Sequence, residues 1–261
     1  MRKSLCLAGA AFLLGLASFA NAQPGGQATP PPPPLDVGGV LLQAKIHYES
    51  GDFAAALPRF QDAADAKNVE AMMYLGLMYA HGEGTAVDYS KAMTWFQKAA
   101  AGGDSQAMCN IGILYYQGLG VAQRYDEAMR WFRDAAAWLN DQAMFNIGVL
   151  HRDGLGVPVN YAEARKWFVK ASDAANDLAM NSLGAMYENG QGVAVDYAEA
   201  MNWYRKAAQA GNRDAMHNIG WLYENGLGVA KDIDEAQKWY DQSTGGGLEP
   251  AEAPAHQEPP H

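Results

Sequence analysis

The chain has 261 residues, 49% of them apolar, and 19 Lys+Arg against 29 Asp+Glu give a formal net charge of −10. The apolar share supports a folded core and argues against wholesale disorder. The acidic balance argues against a nucleic-acid partner, which would need cations to replace the phosphate counterions. Two cysteines cannot make a disulfide-dense scaffold.

Arg2 and Lys3 open the chain, Leu5 to Ala17 is an apolar run, and Ala20-Asn21-Ala22 places small residues before a cut at Gln23. This pattern predicts a Sec-type signal peptide over residues 1–22 and a periplasmic or secreted protein after cleavage near Ala22. The apolar run is shorter than the ~20 residues of a spanning helix, so no stable membrane insertion is expected once the signal is removed. Cys6 has no small-residue lipobox before it and leaves with the signal. Cys109 then remains alone, in a slot that Met73 and Phe145 fill elsewhere, and is expected to be a buried packing residue. Residues 23–37 read as a linker, Gly/Gln/Ala-rich to Thr29 and then Pro30 to Pro34. Proline fixes φ and lacks the backbone donor, so this run predicts an extended spacer.

The remainder is organised by a period of 36 residues, carried by Gly-x-x-x-x-x-Gly-x-Gly with first glycines at Gly76, Gly112, Gly148, Gly184 and Gly220. An Ala-Met pair precedes each copy (Ala71-Met72 in the first), and a Trp-aromatic pair follows: Trp95-Phe96, Trp131-Phe132, Trp167-Phe168, Trp203-Tyr204 and Trp239-Tyr240. A fixed period in this range predicts a stacked solenoid. Met72, Leu75, Gly76 and Tyr79 share one face of a first helix, and Ala92, Trp95, Phe96 and Ala99 one face of a second. Gly82 and Gly84 suit the positive φ of a helix C-cap. Asn160-x-x-Glu163, Asp196-x-x-Glu199 and Asp232-x-x-Glu235 predict capping boxes at the second-helix starts. Arg124 breaks that rule, so its helix is expected to fray. Gly76 is expected to admit a ridge formed by Ala92 and Ala99. Residues 38–67 read as a shorter copy, with Ala44, Ala56, Phe60 and Ala63 at the places of Gly76, Ala92, Phe96 and Ala99. Five full copies then span 68–243, and a Pro/Glu-rich tail, expected to be disordered, spans 244–261.

The short copy resembles a tetratricopeptide repeat, and the five longer ones resemble Sel-one-like repeats, across residues 38–243. The fold class that follows is all-α, a right-handed solenoid of antiparallel helix pairs. The resemblance implies an adaptor or scaffold that binds other proteins in a concave groove lined by the first helices.

Chemistry finds little support. None of the six histidines pairs with another at metal-ligand spacing, and there is no nucleophile elbow or phosphate-binding loop. His151 stands in a column otherwise held by Tyr79, Tyr115, Tyr187 and Tyr223, where a packing role is expected. A cysteine-rich branch of the resembled family is associated with β-lactam binding. The alternative reading is therefore a periplasmic hydrolase of cell-wall or β-lactam substrates, although this chain lacks both the repeated cysteines and a Ser-x-x-Lys motif. The expectation is a non-enzyme without metal or cofactor.

Binding is expected on first-helix columns that vary while the framework stays constant: Met73, Leu77, Asn110, Ile113, Tyr116, Phe145, Asn146, Val149, Arg152, Glu188, Asn218, Trp221 and Glu224. The columns three before, one after and four after the central glycine are mainly apolar in the first three copies and turn polar and acidic in the last two. The expected ligand is an amphipathic helix or an extended peptide. Weak end-to-end self-association is a further expectation, because no helix follows Trp239 and Tyr240 to cover them.

Overall fold

The computed structural model describes residues 36–245. The expected signal peptide, the linker through Leu35, the tail beyond Gly245, and with them Cys6, His256 and His261, lie outside the described residues. The described residues form twelve helices and no strand: α1 (Val37–Glu49), α2 (Phe53–Asp65), α3 (Val69–His81), α4 (Tyr89–Ala101), α5 (Ser105–Gln117), α6 (Tyr125–Ala137), α7 (Asp141–Asp153), α8 (Tyr161–Asp173), α9 (Asp177–Asn189), α10 (Tyr197–Gln209), α11 (Arg213–Asn225) and α12 (Ile233–Thr244). The chain divides into two compact units, Met1–Gln123 with α1–α5 and Arg124–His261 with α6–α12. Within each unit, every helix packs on the next in sequence.

The contact inside the pairs α3–α4, α7–α8, α9–α10 and α11–α12 differs from the expected alanine ridge. A β-carbon built on Gly76 would lie 2.3 Å from the Phe96 ring, and one on Gly148 2.5 Å from Phe168. Gly184 faces Tyr204 and Gly220 faces Tyr240 in the same way. The aromatic residue of the second helix therefore lies against bare backbone of the first, while Ala92 and Ala99 are buried beside it. A glycine inside a helix costs about 0.5–1 kcal/mol against alanine, and burial of a whole phenyl ring more than offsets that.

The two turn glycines do different work. Gly82 caps α3 in the left-handed conformation (φ 75°), its N–H donating to the Met78 carbonyl. Gly84 also has positive φ, and a β-carbon there would fall 2.6 Å from the Phe53 carbonyl oxygen, at the start of the previous repeat's second helix. The second glycine is thus a stacking contact between repeats.

The second-helix caps form by half of the expected box. Asn160, Asp196 and Asp232 accept from the backbone N–H groups of Glu163, Glu199 and Glu235 at 3.0, 3.0 and 2.9 Å. The returning bond from the glutamate is replaced. The N-cap's own N–H donates to a first-helix carbonyl, Asn160 to His151 at 2.8 Å and Asp196 to Tyr187 at 2.9 Å. Glu163 and Glu235 turn to Lys166 and Lys238 instead. Arg124 makes no side-chain cap and pairs with Asp126 at 2.7 Å.

Asparagines at first-helix starts hold successive repeats of the second unit together. Asn176 Oδ1 accepts from the Ala179 N–H, and its Nδ2 donates to Asp141 one repeat earlier at 2.7 Å. Asn212 repeats this with Ala215 and Asp177. A side-chain amide carries its acceptor and its donor on two separate atoms, so it can serve both partners at once.

The last described helix is polar where most earlier second helices are apolar. Gln237, Ser243 and Thr244 of α12 occupy the positions of Met93, Ala99 and Ala100, and each hydrogen-bonds within its own helix. Trp239 and Tyr240 are half-buried, and their polar atoms are taken by Glu235 and Glu224.

Two stability outcomes follow. Gly148→Leu drives a side chain into the Phe168 ring and should destabilise the protein by at least about 2 kcal/mol; an unchanged denaturation midpoint would contradict the ring contact. Leu139 holds a left-handed φ of 60° where Gly103 and Gly211 stand in other copies, and it is 77% exposed. Leu139→Gly should therefore stabilise by about 0.5–1 kcal/mol in urea denaturation, since relief of the left-handed penalty exceeds the added unfolded-state entropy.

Candidate functional site

The variable columns lie on the first helices, on the turns that flank the central glycine, and burial sorts them into framework and surface. In the first unit, Met73 and Tyr116 are half-buried, whereas Leu77 is 5%, Ile113 9% and Asn110 0% exposed. Leu77, Ile113 and Asn110 are therefore corrected from contact residues to packing residues. Cys109 is also fully buried.

In the second unit Phe145, Asn146, Val149, Arg152, Glu188 and Asn218 are half-buried, and Trp221 and Glu224 are exposed. The Phe145 ring sits 5.7 Å from that of Phe168, so its inner edge belongs to the repeat core. Arg152 is held by a bidentate pair with Asp153 at 2.6 and 2.9 Å. Asn218 donates to Asn181 of the preceding repeat at 3.1 Å. That bond gives Asn218 a structural task, distinct from holding a peptide backbone.

The two acidic positions are coupled to the framework in a way the column reading missed. Tyr204 donates its hydroxyl proton to Glu188, and Tyr240 donates to Glu224 at 2.7 Å. Where the second-helix aromatic is Phe168, which has no hydroxyl, the equivalent first-helix residue is Arg152. The signal was present in the sequence: tyrosine replaces phenylalanine only in the last two copies, each time sixteen residues after a glutamate. Burial, with the Glu188 carboxylate adding to it, pushes the Tyr204 phenol well above its usual range. The same causes push Tyr240 up to about 12.

His151, in the tyrosine column, is half-buried, and burial lowers its pKa. Arg133 adds to the shift and Glu163 opposes it. Among the described residues no three His, Cys, Asp or Glu side chains gather as a metal site, and no helix is long and apolar enough to cross a membrane. The arrangement leaves half-exposed apolar and polar side chains on the first helices.

The Sel1 repeat profile matches residues 69–104, 105–137, 141–176, 177–212 and 213–247. A Sel1 repeat protein from Oxalobacter formigenes is 31% identical over 80% of this chain and 85% of its own, with a TM-score of 0.74. A protective antigen of uropathogenic Escherichia coli displaying an SLR fold is 33% identical over 82% of this chain, with a TM-score of 0.71. The chain spans about half of that antigen, 46% of its length. An immunity protein from Pseudomonas aeruginosa, at 19% identity over 82% of this chain and 83% of its own and a TM-score of 0.57, shares the fold. Among curated proteins, none matches the sequence.

The Tyr204–Glu188 bond gives the protein an alkaline sensitivity. A folded-state pKa raised above the unfolded value favours the neutral phenol, so this contribution is complete below about pH 10, the unfolded tyrosine value. It is lost as pH rises further. Wild-type stability should fall as pH rises above about 10, and Tyr204→Phe should fall less steeply while losing about 1 kcal/mol at pH 7. Equal slopes in pH-dependent urea denaturation would show that Tyr204 ionises as freely folded as unfolded.

Proposed function

The chain belongs to the Sel1 repeat family, whose members are in general protein–protein interaction scaffolds, and on that premise we propose that it is an exported adaptor. It holds a protein or peptide segment on the exposed side chains of its first helices and carries out no chemistry of its own. The observation that carries this reading is the contrast between an invariant framework and its variable neighbours. Ala, Gly and the second-helix aromatic recur in every copy. The residue after the central glycine runs Leu77, Ile113, Val149, Ala185, Trp221, and only the last three of these are half-buried or exposed. Packing alone explains a constant position, whereas an exposed position that changes size and polarity from copy to copy suits an irregular ligand.

Burial narrows the contact set. In the second unit it comprises Phe145, Asn146, Val149, Ala185, Glu188, Trp221 and Glu224. Glu188 and Glu224 each give one carboxylate oxygen to a tyrosine and keep the other for a partner's donor. Export rests on the leader pattern of residues 1–22.

A photo-crosslinking residue replacing Val149 should capture one defined protein from a periplasmic extract. The same residue replacing Lys166, exposed on α8, should not. Equal labelling at both positions, or none at either, would remove the first-helix face as the binding surface.

A further inference from the structure

Every first helix that has a repeat before it in its own unit is covered on one side by that repeat's second helix. Leu75 and Met78 of α3 share one buried cluster with Ala56, Phe60, Ala63 and Ala64 of α2. Ile219 and Leu222 of α11 do the same with Tyr204, Ala207 and Ala208 of α10. The residue two places after the central glycine is Met78, Leu114, Leu150, Met186 or Leu222, and each is 0–1% exposed. In α1 that place is held by Ile46, which is 47% exposed. Leu42, one turn earlier on the same face, is 57% exposed. Beside them a groove runs between Gly39, Val40 and Gln43 of α1 and Pro58 and Arg59 of α2.

The opposite terminal helix is built otherwise. Terminal repeats of solenoids ordinarily carry a polar outer face, and α12 does so with Gln237, Ser243 and Thr244. At α1 only Gln43 follows that rule, at the place of the buried Leu75 and Ile219. Leu42 and Ile46 remain apolar, giving an apolar centre with a polar edge, as in interfaces that open and close.

We propose that the outer face of α1 is a docking site for an amphipathic helix of a partner protein, seated where a preceding second helix would lie. The repeat interface itself specifies the occupant. The second helices α2, α4, α6 and α10 present alanine, a large aliphatic, an aromatic and two further alanines, as in Ala92, Met93, Phe96, Ala99 and Ala100. A partner helix with that pattern continues an interface already made along the chain. A second copy offers no such helix in a head-to-tail stack, because its α12 is polar at those positions. This site lies on α1, outside the second-unit contact set proposed above, although Leu42 shares a column with Asn146.

The probe is a peptide of residues 89–101, fluorescein-labelled and stapled between its Ser90 and Thr94 positions, which are exposed on α4 and one turn apart. The staple supplies the helicity that so short a peptide lacks in water. Anisotropy is followed on titration with the protein of residues 23–261. Saturable binding is expected, weakened at least tenfold by Ile46→Glu and by Leu42→Glu, both at exposed positions that keep the circular dichroism and melting temperature, and unchanged by Gln237→Glu. Absence of saturable binding, or binding indifferent to Ile46→Glu and Leu42→Glu, overturns the proposal. So does a concentration-dependent dimer in sedimentation that Ile46→Glu abolishes, which assigns the face to a second copy. Binding that appears only when residues 23–35 are deleted also overturns it and assigns the face to the chain's own leading segment.

Discussion

At Gly76, Gly148, Gly184 and Gly220 there is no room for even a methyl group, because an aromatic ring from the paired helix already lies 2.3–2.7 Å from where it would sit. The rest of each of these four repeats depends on this contact. It sets the separation of the two helices by the thickness of a ring, and it brings the flanking alanines of the second helix to full burial. With the pair fixed, the turn between its helices has one length. The first turn glycine can cap the helix, and the second can rest on the previous repeat. A larger residue at the first glycine would therefore disturb the ring, the turn and the stacking together.

Polar groups are woven into this apolar frame at few points, and each bond serves two elements. Asn176 and Asn212 cap their own helices and tie them to a carboxylate one repeat earlier. The N–H groups of Asn160 and Asp196 close the turn onto the preceding helix, while their side chains open the next one. Isolated exposed ion pairs such as Lys166–Glu163 add little by comparison. Specificity of stacking is thus carried by short side chains with both a donor and an acceptor, or with a well-placed acceptor.

How much of this was readable from the sequence depended on repetition. A position sampled five times shows whether it tolerates change, so the helix pairs, the paired glycines and the second-helix caps could be read directly. The identity of the glycine's neighbour could not. Alanine and the aromatic recur equally at helical spacing, and only geometry shows that the ring takes the contact. The binding columns were less readable still. Asn110 and Asn218 share one column, yet one is fully buried and the other half-buried and bonded to Asn181. Burial at a column depends on what lies over it, and periodicity along one helix carries no record of that. The Tyr204–Glu188 and Tyr240–Glu224 pairs were readable as a joint substitution, but only by comparing columns on different helices of a pair.

The same comparison of equivalent positions separates surface that packing requires from surface it leaves over. Met93, Met129 and Met201 are buried, Arg165 is half-buried, and the equivalent Gln237 of the last described helix is polar and exposed. Loss of a neighbour has been met there by a change of residue type. Trp221 breaks that pattern. Its column is buried at Leu77 and Ile113, half-buried at Val149 and Ala185, and 36% exposed at Trp221, where the side chain becomes larger as cover is lost. Indole in water has a hydrophobic cost that a smaller or polar residue would avoid. A scaffold selected for folding alone would reduce such a position in size. A large amphipathic ring exposed on α11, in the same helix as Glu224, is what the proposed contact surface would use.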